Sequence, residues 1–376
     1  MFAWRKTALL TLAIAFGSLV AAAQVRLSAL GGRGALIAGS AGALGDDNKA
    51  TAFELSLARR TTPDVPWARA LGRPYLGLSA GYTDHGAAEF GGAGYVLAFF
   101  EPQFARRYGA SPRLWASLRL GAGAAYTTRP FDAETNPGNV MHGSHLNFAL
   151  AGRLAVAARI APRTSLSVGG YLLHLSNGAL RKPNFGSNAV LLSVGVTHEL
   201  DPAPGLQSSA ATPHRAHAPA NTTARRLHGY AEVRIGFAEM TLPTGDVGER
   251  DEVYAATMGV DYDLSEVYAL TLSGGYLLHH GIGRRLDYAH SNGWHREHDR
   301  YDRAILGVGA AVRLGRFEIR PELLIAVYNP YPHPQELISQ RYSLRHALGR
   351  RAYVTAGLNC YAAKADFASG GLGLKF

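Results

Sequence analysis

Apolar and polar residues alternate with a period of two through most of this chain. The stretch 144–160, SHLNFALAGRLAVAARI, shows it well. Its even positions carry Leu146, Phe148, Leu150, Leu154, Val156 and Ile160, and its odd positions carry His145, Asn147, Arg153 and Arg159. In an extended strand these two sets lie on opposite faces. A soluble sandwich would turn the apolar face to a core, whereas a membrane barrel turns it to lipid and the charges to the lumen. Similar segments recur near 25–40, 49–59, 75–84, 94–107, 112–127, 144–160, 163–176, 188–200, 228–238, 252–263, 266–280, 302–314, 316–328, 338–346, 351–362 and 367–376. The pattern predicts an all-β protein, a transmembrane antiparallel up-and-down β-barrel of about sixteen strands, with twelve or fourteen as the alternatives.

The links between segments give the barrel a direction. Those after odd-numbered strands include the long polar stretches 129–143, 177–187 and 281–301. Several after even-numbered strands are very short, such as Ala161-Pro162 and Gly315. Long links outside and short turns in the periplasm are the habit of outer-membrane barrels. The short link 363–366 and the long links 60–74 and 201–228 depart from it. Residues 201–226, DPAPGLQSSAATPHRAHAPANTTARR, have no periodicity and read as a flexible loop. They could divide two domains. The continuation of similar strands on both sides favours one barrel over 24–376, with a long loop near 201–227.

The N-terminus carries Arg5 and Lys6, an apolar run from Ala8 to Ala23 and the small residues Ala21-Ala22-Ala23. This is the layout of a secretory signal peptide over 1–23. The chain ends in GGLGLKF, an alternating strand with a terminal aromatic that resembles the C-terminal signal of bacterial outer-membrane barrels. Charged residues are few (18%) and Gly is abundant (44 residues), which suits a β-rich chain over a helical one. The net charge of +10 suits an anionic partner. No zinc-finger, helix-turn-helix or RNP-like pattern points to nucleic acid, so a phosphorylated lipid is the better match. Cys360 is the single cysteine, which excludes an intrachain disulfide and a cysteine metal cluster. His279, His280, Asp287, His290, His295, Glu297, His298 and Asp299 are metal-ligand types without a defined spacing, and read as a solvated loop. No metal and no other cofactor is expected.

Chemistry concentrates in 169–188, GGYLLHLSNGALRKPNFGSN. Taking 164–176 and 188–198 as strands, period two puts His174 and Ser176 on one face and Asn188 on the corresponding apolar face across the hairpin. All three then point at lipid near the extracellular rim. Polar groups in that position are costly and call for a functional reason. A serine hydroxyl is a weak nucleophile until an imidazole takes its proton, and the imidazole needs a third group to fix its tautomer. His174 is the candidate base, Ser176 the nucleophile, Asn188 the orienter, and Asn177 or a turn N–H the oxyanion donor. Asp132 and Glu134, in the neighbouring loop, are alternative acids for His174. His145 is assigned to the lumenal face of its strand and a structural role. Arg181 and Lys182 are candidates for lipid phosphates or ordinary surface charge. GGYLLHHGIG at 274–283 faintly repeats GGYLLHLSNG at 169–178, placing His279 where His174 falls. Chance similarity between Gly- and Leu-rich strands explains it best.

On its own a His-x-Ser pair is common. The longer pattern H-x-S-N-x(5)-P-N-x-G, formed by His174, Ser176, Asn177, Pro183, Asn184 and Gly186 and closed by Asn188, resembles the lipid A 3-O-deacylase family, also called acyloxyacyl hydrolases. FDAETNPGNVMHGSHLN at 131–147 and the C-terminal AGLNCYAAKADFASGGLGLKF resemble larger Bacteroidetes-type members. The resemblance implies a serine esterase in the bacterial cell outer membrane that removes an ester-linked acyl chain from lipid A of lipopolysaccharide. It implies His174 and Ser176 as catalytic residues and Asn177 in the oxyanion hole. The short deacylases have Glu at the position of Asn188, and outer-membrane phospholipases are similar in using a Ser-His-Asn set. A non-enzymatic porin-like or structural barrel, and a phospholipase acting on glycerophospholipids, are the alternative functions.

Overall fold

Among the described residues, sixteen long antiparallel strands form where the alternation predicts them, and they close as two rings of eight. The computed structural model describes residues 24–38, 42–43, 49–105, 113–200, 226–241, 247–291, 302–329, 337–361 and 364–376. The expected signal peptide 1–23 and all but the end of the expected 201–227 loop lie outside the described residues. The first ring comprises β1 (Val25–Ala38), β2 (Lys49–Arg60), β3 (Tyr75–Asp84), β4 (Gly92–Glu101), β5 (Leu114–Thr127), β6 (Leu146–Ala161), β7 (Thr164–Ser176) and β8 (Ser187–Glu199). Pairing of β1 with β8, from Arg26↔Glu199 to Ala38↔Ser187, closes it. Two short pieces, Gly42–Ala43 and Gln103–Ala105, pair at its edges. The second ring comprises β9 (Leu227–Thr241), β10 (Val247–Asp263), β11 (Tyr268–His279), β12 (Asp302–Leu314), β13 (Phe317–Tyr328), β14 (Ile338–Ala347), β15 (Ala352–Tyr361) and β16 (Lys364–Lys375). It closes through β9 and β16.

The strand number and the up-and-down order agree with the sequence reading. The partition into two rings differs from the single barrel expected there, and the inward residues explain it. Eight strands leave an interior just wide enough for side chains to fill, whereas sixteen leave an aqueous channel. The inward faces carry long side chains that interlock. In the first ring Arg119 bonds Glu54 at 2.8 Å and Glu101 at 2.7 Å, and Tyr171 donates to Glu54 at 2.8 Å. In the second, Arg320 grips Asp261 through both nitrogens at 2.8 and 2.9 Å, Arg341 bonds Glu322 at 2.9 Å, and Arg345 bonds Glu232 at 2.7 Å. Such charges are affordable in a low-dielectric interior only when paired. They make each lumen a packed polar core, which disfavours a porin-like conduit.

The outward faces are apolar. Leu154 and Leu192 on the first ring and Val233 and Met258 on the second are all more than 60% exposed. A solvated surface of that kind would aggregate, so bilayer hydrocarbon is its proper surrounding, and the protein is an outer-membrane β-barrel. Among the described residues two helices depart from the expected all-strand pattern: α1 (Pro66–Ala70) in the 61–74 link and α2 (His280–Ser291) at the head of the polar 281–301 stretch. Among the described residues no helix is long and apolar enough to cross a membrane, and no group of three or more His, Cys, Asp or Glu is placed to hold a metal. Cys360 is a buried free thiol.

The faint internal repeat finds no counterpart in three dimensions. GGYLLHLSNG runs along the seventh strand of its ring and GGYLLHHGIG along the third of its own. His279 is on the inward face, fully buried beside Asp366 at 3.6 Å, whereas His174 is on the outward face.

Candidate active site

The β7–β8 hairpin brings His174 and Asn188 directly opposite each other in the strand register. Both lie on the outward face, in line with Leu172 and Val190, which are nearly half exposed. His174 Nδ1 and Asn188 Oδ1 are 2.8 Å apart. Asn188 Nδ2 donates to the Ile37 carbonyl at 3.4 Å, which turns the amide oxygen toward the ring. An amide oxygen only accepts, so the proton sits on Nδ1 and the Nε2 lone pair is free to act as a base. The acids weighed against Asn188 are placed elsewhere. Asp132 accepts bonds from Glu134 N, Thr135 N and Thr135 Oγ1 at 3.1, 2.8 and 2.9 Å. These bonds close its own exposed turn and hold its carboxyl below the usual range.

Ser176 lies on the same outward face as His174, yet it is 95% shielded. Expected to face lipid, it is instead covered by the 177–186 turn, which folds back over it. Its Oγ accepts from the Gly178 N–H at 3.2 Å and from Asn184 Nδ2 at 3.0 Å. These two bonds use the acceptor capacity of the hydroxyl and leave its own O–H to donate. No hydrogen bond joins His174 to Ser176 in this state.

Asn177, the expected oxyanion donor, is bonded within the turn. Its Nδ2 donates to Ser144 Oγ at 3.0 Å and to the Arg181 carbonyl at 2.8 Å, and its N–H donates to Asn184 Oδ1 at 3.1 Å. Its amide shapes the turn. Asn184 and the Gly178 N–H are the donors that reach Ser176. Asn184 belongs to the sequence motif, but only the tertiary path of the turn carries it back over the serine. His145 also departs from expectation. Its strand begins one residue later, at Leu146, so period two does not extend to it. It is exposed, bonded to the Thr127 carbonyl at 2.7 Å and stacked on Tyr126 at 5.0 Å between centroids.

Gly186 is required on two counts. Its φ is +70°, and a Cβ there would sit 3.0 Å from the Leu175 carbonyl and 3.1 Å from His174 Cε1. Replacing it by Ala strains the backbone and pushes on the imidazole. Gly186→Ala is expected to lower hydrolysis about tenfold or more, since small misplacements of reacting groups are expensive. Turnover measured beside the heat-modified gel mobility of the folded barrel would check this, and full activity would contradict it.

Beneath the hairpin, on the inward side, His142 Nε2 and Ser187 Oγ are 3.1 Å apart, and His142 stacks on His85 at 5.6 Å. Burial and the neighbouring imidazole of His85 push the His142 pKa down to about 3. An unfolded histidine titrates near 6.5, so the folded state refuses a proton that the unfolded state binds. The stability associated with His142 is therefore intact above pH 6.5 and is lost as pH falls from there toward 3. Acidification is expected to loosen residues 139–143 before the strands. Hydrogen exchange, corrected for intrinsic rates, should show this in the wild type and much less in His142→Gln; equal behaviour would refute it.

The hairpin lies in a segment that is similar to a known family. Residues 52–197 match the family of lipid A 3-O-deacylases, PagL. The match spans β2 to β8, with the whole hairpin, and none of the second ring. The crystal structure of the outer membrane enzyme PagL is 22% identical, covering 45% of this chain and 97% of that one with a TM-score of 0.31. The outer membrane protein Omp33 of Acinetobacter baumannii is 9% identical, covering 94% of this chain and 97% of that one with a TM-score of 0.18. The toluene transporter TodX of Pseudomonas putida is 8% identical, covering 94% and 87%, with a TM-score of 0.17. No curated protein matches the chain.

Proposed function

We propose that the PagL-like barrel is a serine esterase that removes an ester-linked acyl chain from lipid A in the outer leaflet. One observation carries the reading. Inside the segment that matches the PagL family, Asn188 holds His174 on the lipid-facing wall at one rim, and Ser176 follows two residues along the same strand face, under the 177–186 turn. In the reaction, Ser176 Oγ attacks the acyl carbonyl while His174 Nε2 takes its proton. Asn188 holds the ring through Nδ1. The Gly178 N–H and Asn184 Nδ2 stand beside the nucleophile to receive the charge that develops on the carbonyl oxygen. Collapse expels the sugar hydroxyl, which regains a proton from His174. Water then enters under the same base, releases the fatty acid and restores Ser176.

An Asn in place of a carboxylate suits this address. A neutral amide is cheaper than a carboxylate on a lipid-facing wall, and it still fixes the tautomer of the base. No cofactor enters the scheme. Mass spectrometry of lipid A from cells that make the wild type or Ser176→Ala tests the reading. A mass loss of one acyl chain with the wild type alone supports it. Unchanged lipid A with the wild type sinks it, and a lysophospholipid product moves the same apparatus to glycerophospholipid.

A further inference from the structure

The PagL family match ends with the first ring, yet the second ring touches the catalytic turn. At the rim, the Glu239 N–H near the end of β9 donates to the Ala179 carbonyl at 2.8 Å. The Glu239 carboxylate Oε2 accepts from the Lys182 N–H at 2.5 Å. Glu239 is buried, so both bonds are sheltered from competing water. Beside them, Gly178 faces the outer wall of the second ring. A Cβ on it would lie 3.3 Å from Ala368 Cβ and 3.5 Å from Leu358 Cδ1, with Phe148 of the first ring at 3.3 Å. Ala179 itself is fully buried with φ +66°, a conformation that a non-glycine residue keeps only when its surroundings enforce it.

The clamped residues are one bond away from the nucleophile. Gly178, whose N–H holds Ser176 Oγ, adjoins Ala179 in the chain. Asn184, the other partner of that oxygen, is two residues beyond Lys182. We propose that Glu239 is a positioning residue for the hydrolytic site, and that the second barrel serves as a built-in scaffold that fixes the catalytic turn. The assignment rests on the esterase reading above. Glu239 touches no reacting atom and acts through the Ala179–Lys182 segment on the two donors that hold Ser176. The turn is gripped from one side by the amide of Asn177 and from the other by Glu239.

The test uses the full chain refolded in detergent, with lipid A in mixed micelles, and separates kcat from KM. Wild-type turnover is measured first; if the wild type releases no acyl chain, the esterase reading fails and takes this proposal with it. Given an active wild type, Glu239→Ala is expected to lower kcat about tenfold with KM within twofold. Glu239→Gln keeps an acceptor oxygen for the Lys182 N–H and is expected to restore most of kcat, which a loss of general stability would not predict. Ala368→Trp adds bulk on the outer wall against Gly178 and is expected to lower kcat in the same way. Heat-modified gel mobility confirms that each barrel has folded. Wild-type kcat in both Glu239→Ala and Ala368→Trp overturns the proposal, as does a Glu239→Gln enzyme no better than Glu239→Ala. Should Glu239→Ala fail to fold, Ala368→Trp decides by the same criterion.

Discussion

Replacing Ser176 by Ala is expected to reduce acyl release from lipid A by about 10⁴-fold or more, the scale of loss when a covalent nucleophile is removed. The barrel should be untouched. Ser176 sits at the end of β7, where its Oγ accepts from the Gly178 N–H and Asn184 Nδ2. Losing that oxygen leaves two buried donors without their acceptor, at about 1–3 kcal/mol each, a local cost confined to the turn. Strand register, lumenal ion pairs and the His174–Asn188 bond do not involve the hydroxyl. Wild-type gel mobility with no loss of an acyl chain in the mass spectrum is therefore the expected pair of results. Residual hydrolysis near the wild-type rate would move the nucleophile elsewhere in the hairpin.

Much of the wall was legible in the sequence because a barrel strand repeats one local rule. Outward residues meet lipid and inward residues meet the lumen, so alternation alone located β3 and β12 to the residue and set the facing of His174 and Asn188. Ring closure obeys no local rule. Whether 187–199 pairs with 25–38 or continues into a larger sheet depends on contacts between segments far apart in sequence. The cue that existed was indirect: Arg26, Glu54, Glu101 and Arg119 on inward faces are long enough to fill an eight-stranded interior and need one another as partners. The unpatterned stretch 201–226, read as a loop within one barrel, falls between the strands of the two rings in the chain.

The site was legible in part for the same reason. His174 and Asn188 are strand residues, and their meeting follows from hairpin register. Ser176 is the last strand residue, and what covers it is a turn. Turns are built from specific hydrogen bonds that no periodicity encodes. The contact of Asn184, and not Asn177, with Ser176 Oγ belongs to that class, as does the part proposed for Glu239, which lies 57 residues from Lys182. The signal for Asn184 was its place in the motif; the signal for Glu239 was absent from any local pattern.

His174→Ala is expected to cost as much as Ser176→Ala, and the double variant little more than either alone. In the proposed mechanism the two side chains perform one step, in which Ser176 loses the proton that His174 gains, so removing either removes the step. Asn188 stands outside that unit. It bonds Nδ1 at 2.8 Å and the Ile37 carbonyl at 3.4 Å, and it fixes which nitrogen is basic without exchanging a proton. Asn188→Ala is therefore expected to lose about ten- to a hundredfold, because the ring samples the wrong tautomer and orientation. In the His174→Ala background the same change should have almost no further effect, since there is no ring left to hold. Turnover of the three singles and two doubles on lipid A micelles gives the full cycle. Additive losses for His174 and Asn188 would mean that the amide contacts substrate directly, and would remove it from the role of orienter.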